Sequence, residues 1–210
     1  NYPGCTAISG NVNINDAVDG NITNLNGLSQ ITFIGGNLDI SANPNLTNLT
    51  GLNAVTAIGG GLYLLSYLTS LTGLNALSSI GGEFYISNQN ISNFSGLNAL
   101  TSIGGGVYIG SNSSLTSLTG LNAINSIGGY LSFQWNGALT NLSGLNALTS
   151  IGGGLGFYEN NTLTSINGLD GLNSIGGFLN IKDNPVLTNL TVLNGVASIG
   201  GLLLLPTMRP

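Results

Sequence analysis

The sequence predicts an all-β solenoid of about nine coils with a period of about 24 residues. That expectation rests on a recurrent Ile-Gly-Gly, on two hydrophobic rhythms inside each repeat, and on a composition unsuited to helices. Ile-Gly-Gly begins at Ile34, Ile58, Ile80, Ile103, Ile127, Ile151, Ile175 and Ile199, at intervals of 24, 22, 23, 24, 24, 24 and 24 residues. An imperfect first unit runs from Ile8 to Ile34. Self-similarity at this period means stacked coils in one array. The expected organisation is a single repeat solenoid over 1–210, with an irregular first coil (1–33), seven regular coils (34–198) and a truncated last coil (199–210).

Each unit is built in two parts. After Gly-Gly, apolar residues alternate with others at Leu38/Ile40, Leu62/Leu64, Phe84/Ile86, Val107/Ile109, Leu131/Phe133, Leu155/Phe157 and Leu179/Ile181, the pattern of a short strand with one buried face. The rest of the unit carries an apolar residue at every third position, as in Leu115, Leu118, Leu121, Ile124 and Ile127. Neither a strand nor a 3.6-residue helix has that spacing, so turns and short extended pieces around a narrow core are expected. The abundance of Gly, Asn, Thr and Ser also disfavours helix. Stacked coils place equivalent residues roughly 4.8 Å apart, in columns.

Between the two parts an Asn recurs at Asn88, Asn112, Asn136, Asn160 and Asn184, with Asn43 as its counterpart in the first full unit. A side-chain amide there satisfies backbone groups at the turn leaving the strand, in its own coil and the next. The paired glycines suit the bend entering the strand, where positive φ or close coil approach is needed. The 22- and 23-residue units predict a shortened turn near Ser66-Tyr67 and near Gln89.

Composition narrows function. Only 4% of the 210 residues are charged, against about 25% in an ordinary domain, and His is absent. Acid–base, nucleophilic and metal chemistry must draw on Asp16, Asp19, Asp39, Glu83, Glu159, Asp170, Asp183, Lys182, Arg209 and Cys5, which are scattered along the chain. The expectation is therefore no enzyme, no cofactor and no metal. Asp16-x-x-Asp19-Gly20 supplies two carboxylates where Ca²⁺ takes about six to eight oxygens, so it reads as a turn. Net charge is −5 with two cations, which predicts no nucleic-acid partner. No apolar run approaches the roughly 20 residues of a membrane span, so no membrane insertion is expected.

The repeated cassette G-L-N-A-L-T-S-I-G-G-G-L-Y-I-x-x-N-x-x-L-T-S-L-T and the opening N-Y-P-G-C-T-A-I-S-G-N-V-N-I resemble the receptor L-domain branch of leucine-rich repeats, in particular arrays of secreted and surface proteins of bacteria. The resemblance covers nearly the whole chain. It implies a right-handed leucine-rich-repeat β-helix, an extracellular or cell-surface location, and a recognition or scaffolding role. It also implies a disulfide near the first coil with a partner upstream of Cys5; otherwise Cys5 is a buried thiol. The opening Asn1-Tyr2-Pro3-Gly4-Cys5 suits a mature chain or an excised piece.

Strand alternation turns one set of residues outward, and five of the seven tyrosines belong to it. Tyr63, Tyr85 and Tyr108 share a column, Tyr130, Tyr158 and Phe178 stand one alternation to either side, and Trp135 follows at a strand exit. These seven are the candidate ligand site: a nearly uncharged aromatic strip suits sugar faces or a protein partner. The competing reading is that the tyrosines favour strands and stack on one another to shield the sheet. Two hydroxyl columns, Thr47/Thr69/Ser92/Thr116/Thr140/Thr164/Thr188 and Thr50/Thr72/Ser95/Thr119/Ser143/Thr191, raise ice binding as a distant alternative, unless their hydroxyls bond neighbouring turns. Sequons occur at Asn21, Asn45, Asn48, Asn90, Asn93, Asn112, Asn141, Asn160 and Asn189, and matter as glycan sites only in a eukaryotic source. The unfinished unit Leu202-Leu203-Leu204-Leu205-Pro206 implies more chain or self-association at the solenoid ends. The expected function is an extracellular recognition or adhesion module binding a glycan or protein, with a structural fibre subunit as the alternative.

Overall fold

A computed structural model describes residues 4–16, 18–87 and 89–205. Among these residues the chain winds into a solenoid with two parallel sheets of nine strands each. The narrow sheet consists of two-residue strands, from Ala7–Ile8 and Phe33–Ile34 to Ser198–Ile199. The broad sheet consists of the four-residue strands Val12–Asn15, Leu38–Ser41, Leu62–Leu65, Phe84–Ser87, Val107–Gly110, Leu131–Gln134, Leu155–Tyr158 and Leu179–Lys182 and the two-residue Leu203–Leu204, all but the first following a Gly-Gly bend. Each strand pairs with its equivalent one coil away, so Leu38 lies beside Leu62, Leu62 beside Phe84, and Ile127 beside Ile151. The first coil is longer than the rest but already joins both ladders: Ala7–Ile8 pairs with Phe33–Ile34 and Val12–Asn15 with Leu38–Ser41. No helix among the described residues is long and apolar enough to cross a membrane.

The three-residue rhythm has a backbone cause. Successive turns bond the amide of one apolar residue to the carbonyl of the apolar residue three before it: Leu97 to Phe94, Leu100 to Leu97, Leu121 to Leu118, Ile124 to Leu121. Every third side chain therefore points into a core that also receives the alternate residues of the broad sheet. Leu118, Leu142 and Ile166, equivalent residues of three coils, are fully buried, as are Phe133 and Phe157, whose rings stack 5.6 Å apart.

Two kinds of glycine hold the coils together. In Ile-Gly-Gly the cause is close approach and not positive φ: a Cβ on Gly152 would lie 2.2 Å from the carbonyl oxygen of Gly128 in the coil below. Positive φ belongs to the glycine of Thr/Ser-Gly-Leu-Asn, as at Gly120 (φ +110°), where a Cβ would also meet the Phe94 oxygen at 2.0 Å.

The Asn column is a buried amide ladder. Asn136 Oδ1 accepts from the amide nitrogen and Nδ2 of Asn112, while Asn136 Nδ2 donates to Ile109 O and to Asn160 Oδ1. Asn160 repeats the pattern toward Asn184. In the shorter units the ladder departs from the expected column. Ser66 stands in the Asn position and exchanges hydrogen bonds with the backbone of Asn43. In the next unit Gln89 holds the place, accepting from Leu68 N and donating to Leu64 O and Ser87 O. Asn88, expected there, lies outside the described residues, as do Asn1–Pro3, Pro206 and Arg209. Before most of the ladder asparagines the chain turns through a left-handed residue, Ala42, Ser111, Trp135, Glu159 or Asp183.

Candidate functional site

The outward face of the broad sheet carries the aromatic residues, and the register there decides which of them meet. Asp39, Tyr63, Tyr85, Tyr108, Ser132, Gly156 and Asn180 form one column. Tyr85 and Tyr108 stack with ring centroids 4.4 Å apart and an interplanar angle of 11°. Tyr63 and Tyr85 are looser, at 6.5 Å and 32°. All three are half-buried. Among the described residues no other ring contacts link the outward aromatics.

Glycines seat the rings. Tyr63 lies over Gly61, Tyr108 over Gly110, Tyr158 over Gly156, Tyr130 over Gly106 and Phe178 over Gly154, each so close that a Cβ on the glycine would strike the ring. Five of these glycines are consequently buried although they face outward. The missing side chain supplies a flat floor, and the ring covers backbone that would otherwise be bare, as when an aromatic compensates a glycine in a strand. Trp135 is apart from this arrangement: it occupies a left-handed turn position (φ +55°) and is exposed.

The strip is less neutral than composition suggests. The Tyr130 hydroxyl donates to the Glu83 carboxylate, bridging across Gly106 in the same column. Burial pushes the Tyr63 hydroxyl above its ordinary pKa, reinforced by the charge and hydrogen bonding of Glu83 and by the charge of Asp39. Tyr108 is pushed up to about 12, first by burial and then by its interaction with Tyr85. Stacking also uses the faces of Tyr85 and Tyr108 on each other, so the middle of the strip offers a partner less ring face than separate rings would. Beyond Tyr63 the column continues with Asp39, and there the stack ends beside a polar depression of about 310 Å³ lined by Asn11, Val12, Asn13, Asn37, Asp39 and Tyr63. Alternation alone puts Asp39 and Glu83 outward; their role beside the rings depends on side-chain directions that alternation does not specify.

The BspA-type leucine-rich repeat model matches residues 18–133 as six copies. The chain belongs to the BspA-type leucine-rich repeat family. No curated protein and no solved structure gives a significant match. The family match spans Asp39, Tyr63, Glu83, Tyr85, Tyr108 and Tyr130, whereas Trp135, Tyr158 and Phe178 lie beyond it in coils that keep the same register.

Other sequence candidates occupy different surroundings in this BspA-type array. Asn112 and Asn160 are fully buried, with Nδ2 committed inside the amide ladder, which corrects their candidacy as glycan sites on the folded chain. Of the remaining sequons, Asn21, Asn45, Asn90 and Asn189 are exposed, and Asn48, Asn93 and Asn141 half-buried. In the first hydroxyl column Thr69, Thr116 and Thr164 donate to the backbone carbonyls of Thr47, Ser92 and Thr140 in the coil below. Asp16 caps its loop by accepting from Ile22 N at 2.7 Å. Cys5 is a half-buried free thiol at the rim of an apolar cavity of about 810 Å³ lined by Ile8, Ile14, Leu25 and Ile31. A separate shallow trough of about 680 Å³ runs along the narrow sheet over Ser and Gly residues.

Proposed function

We propose that this chain is a non-enzymatic recognition and adhesion module that acts at the cell surface or outside the cell and binds a glycan or protein through the outward face of its broad sheet. Repeats of the BspA type are commonly surface and adhesion modules, which supports the general class. The receptor L-domain likeness of the repeated cassette supports the location. The observation that carries the proposal is the Tyr63–Tyr85–Tyr108 column, three aromatic rings in register and seated on glycine or on one another. Rings fixed in this way contribute contact area to a partner with little further loss of side-chain entropy.

Double substitution of Tyr85 and Tyr108 by Ala tests the reading on a glycan array and on intact cells. Retention should fall by at least about tenfold, the loss expected for removal of central aromatic anchors, while circular dichroism stays that of the parent chain. Unchanged retention would refute the assignment of this face. Rods much longer than one molecule in electron microscopy would instead favour the fibre subunit.

A further inference from the structure

We infer that the depression at the Asp39 end of the tyrosine column is a subsite for one neutral pyranose ring of a glycan. The inference rests on the reading of the broad sheet as the recognition face and adds the ligand class and the place on that face. Three features converge there.

The first is a carboxylate without a partner. Asp39 Oδ1 is shut off from solvent and no protein donor reaches it, an arrangement that folded proteins rarely leave uncompensated. Asp39 as a residue is only half-buried and lines the depression, so its carboxylate remains an acceptor for a hydroxyl placed there. The second is a set of amide donors. Asn11 Oδ1 accepts from Asn37 N and Asn37 Oδ1 from Gly61 N, at 2.9 and 2.8 Å. These bonds fix both side chains across neighbouring coils and direct their capacity to donate, the NH₂ groups, away from the backbone. The third is a ring at the end of a stack. Tyr63 has Tyr85 on one side and Asp39, not another aromatic, on the other.

Vicinal sugar hydroxyls both donate and accept, matching a carboxylate and amides held together, and the C–H face of a pyranose packs on an aromatic ring. A cavity of about 310 Å³ has room for one such ring and lies at the small end of ligand pockets. Charge sets the preference within sugars. Asp39 and Glu83 flank Tyr63, so a uronic or sialic acid brings a third negative charge to a site without a cation.

A glycan array probed with the full chain and its variants tests this, with titration against any glycan retained. The parent chain should bind neutral glycans and discriminate against acidic ones of similar size. Asp39→Asn, an isosteric change at an outward position, should weaken binding by about tenfold or more, as loss of a charged hydrogen-bond acceptor does, and Tyr63→Ala should do likewise. Unchanged affinity in Asp39→Asn would overturn the subsite, as would acidic glycans bound as tightly as neutral ones. If the array is blank but cells retain the chain in a Tyr85- and Tyr108-dependent manner, the subsite is wrong and the recognition face stands. If neither surface retains it, both readings fail.

Discussion

The ring of Tyr108 lies between Tyr85 and Gly110, and its hydroxyl, shielded and paired with that of Tyr85, is pushed up to about 12. The unfolded chain ionises this group near 10.0, so between that value and about 12 the unfolded state loses the proton first and stability falls as pH rises. Below 10 the group contributes no pH dependence. Following tyrosinate absorbance against pH should reveal one tyrosine that resists ionisation until the upper end of this window. Gly110→Ala should shift that residue back toward 10.0, because the new Cβ would sit 2.3 Å from the Tyr108 ring, a flexible side chain able to swing away. A titration identical to that of the parent would show that glycine does not seat the ring. The buried amide of Asn136 is less forgiving. Replacing it with Ala strands Asn112 N and removes the side-chain donor to Ile109 O and Asn160 Oδ1, and chemical denaturation should record a loss of about 2–4 kcal/mol.

At the scale of elements, the strands and the turn-built side of each coil were legible because their hydrophobic periods differ, two residues against three, and because Ile-Gly-Gly marks where one gives way to the other. Two features resisted. The amide ladder passes through Ser66 and Gln89 because the 22-residue unit loses one residue between strand and ladder and both shorter units lose one just after it, so the rungs there are 23 residues apart and counting in steps of 24 selects Asn88. The tyrosine column was legible as a column, but whether its rings offer faces or edges depends on where each side chain leans. That direction follows from which neighbour is glycine and from the next ring in the stack, both contacts across coils. Asp39 was visible as an outward residue, and only the packing around it shows an oxygen without a partner. Gly120 supplies a test at this scale. An L-residue at φ +110° is strained, and its Cβ would meet the Phe94 carbonyl, which belongs to the neighbouring coil's backbone and cannot swing aside. Gly120→Ala should therefore cost about 3 kcal/mol or more, seen as a large drop in denaturation midpoint, whereas Gly137→Ala, with open space around it, should cost far less.

As a whole molecule the protein is a one-dimensional stack in which each coil contacts its neighbours, so its stability accumulates coil by coil. Deleting 128–151 removes one 24-residue period and joins Ile127 to Gly152, which restores the same neighbours. The product should fold with the same circular dichroism shape and a lower midpoint, whereas deleting only 128–139 breaks every ladder beyond the junction and should abolish cooperative unfolding. The recognition face depends on the same stacking, since Tyr63, Tyr85 and Tyr108 meet only if consecutive coils keep register. Distances between spin labels on the first hydroxyl column, with Cys5 replaced by Ser, measure this most directly. Pairs Ser92/Thr188, Thr69/Thr188 and Thr47/Thr188 span four, five and six coils, and in-register stacking predicts separations of about 19, 24 and 29 Å. Separations that do not lengthen by one strand spacing per added coil would contradict the account.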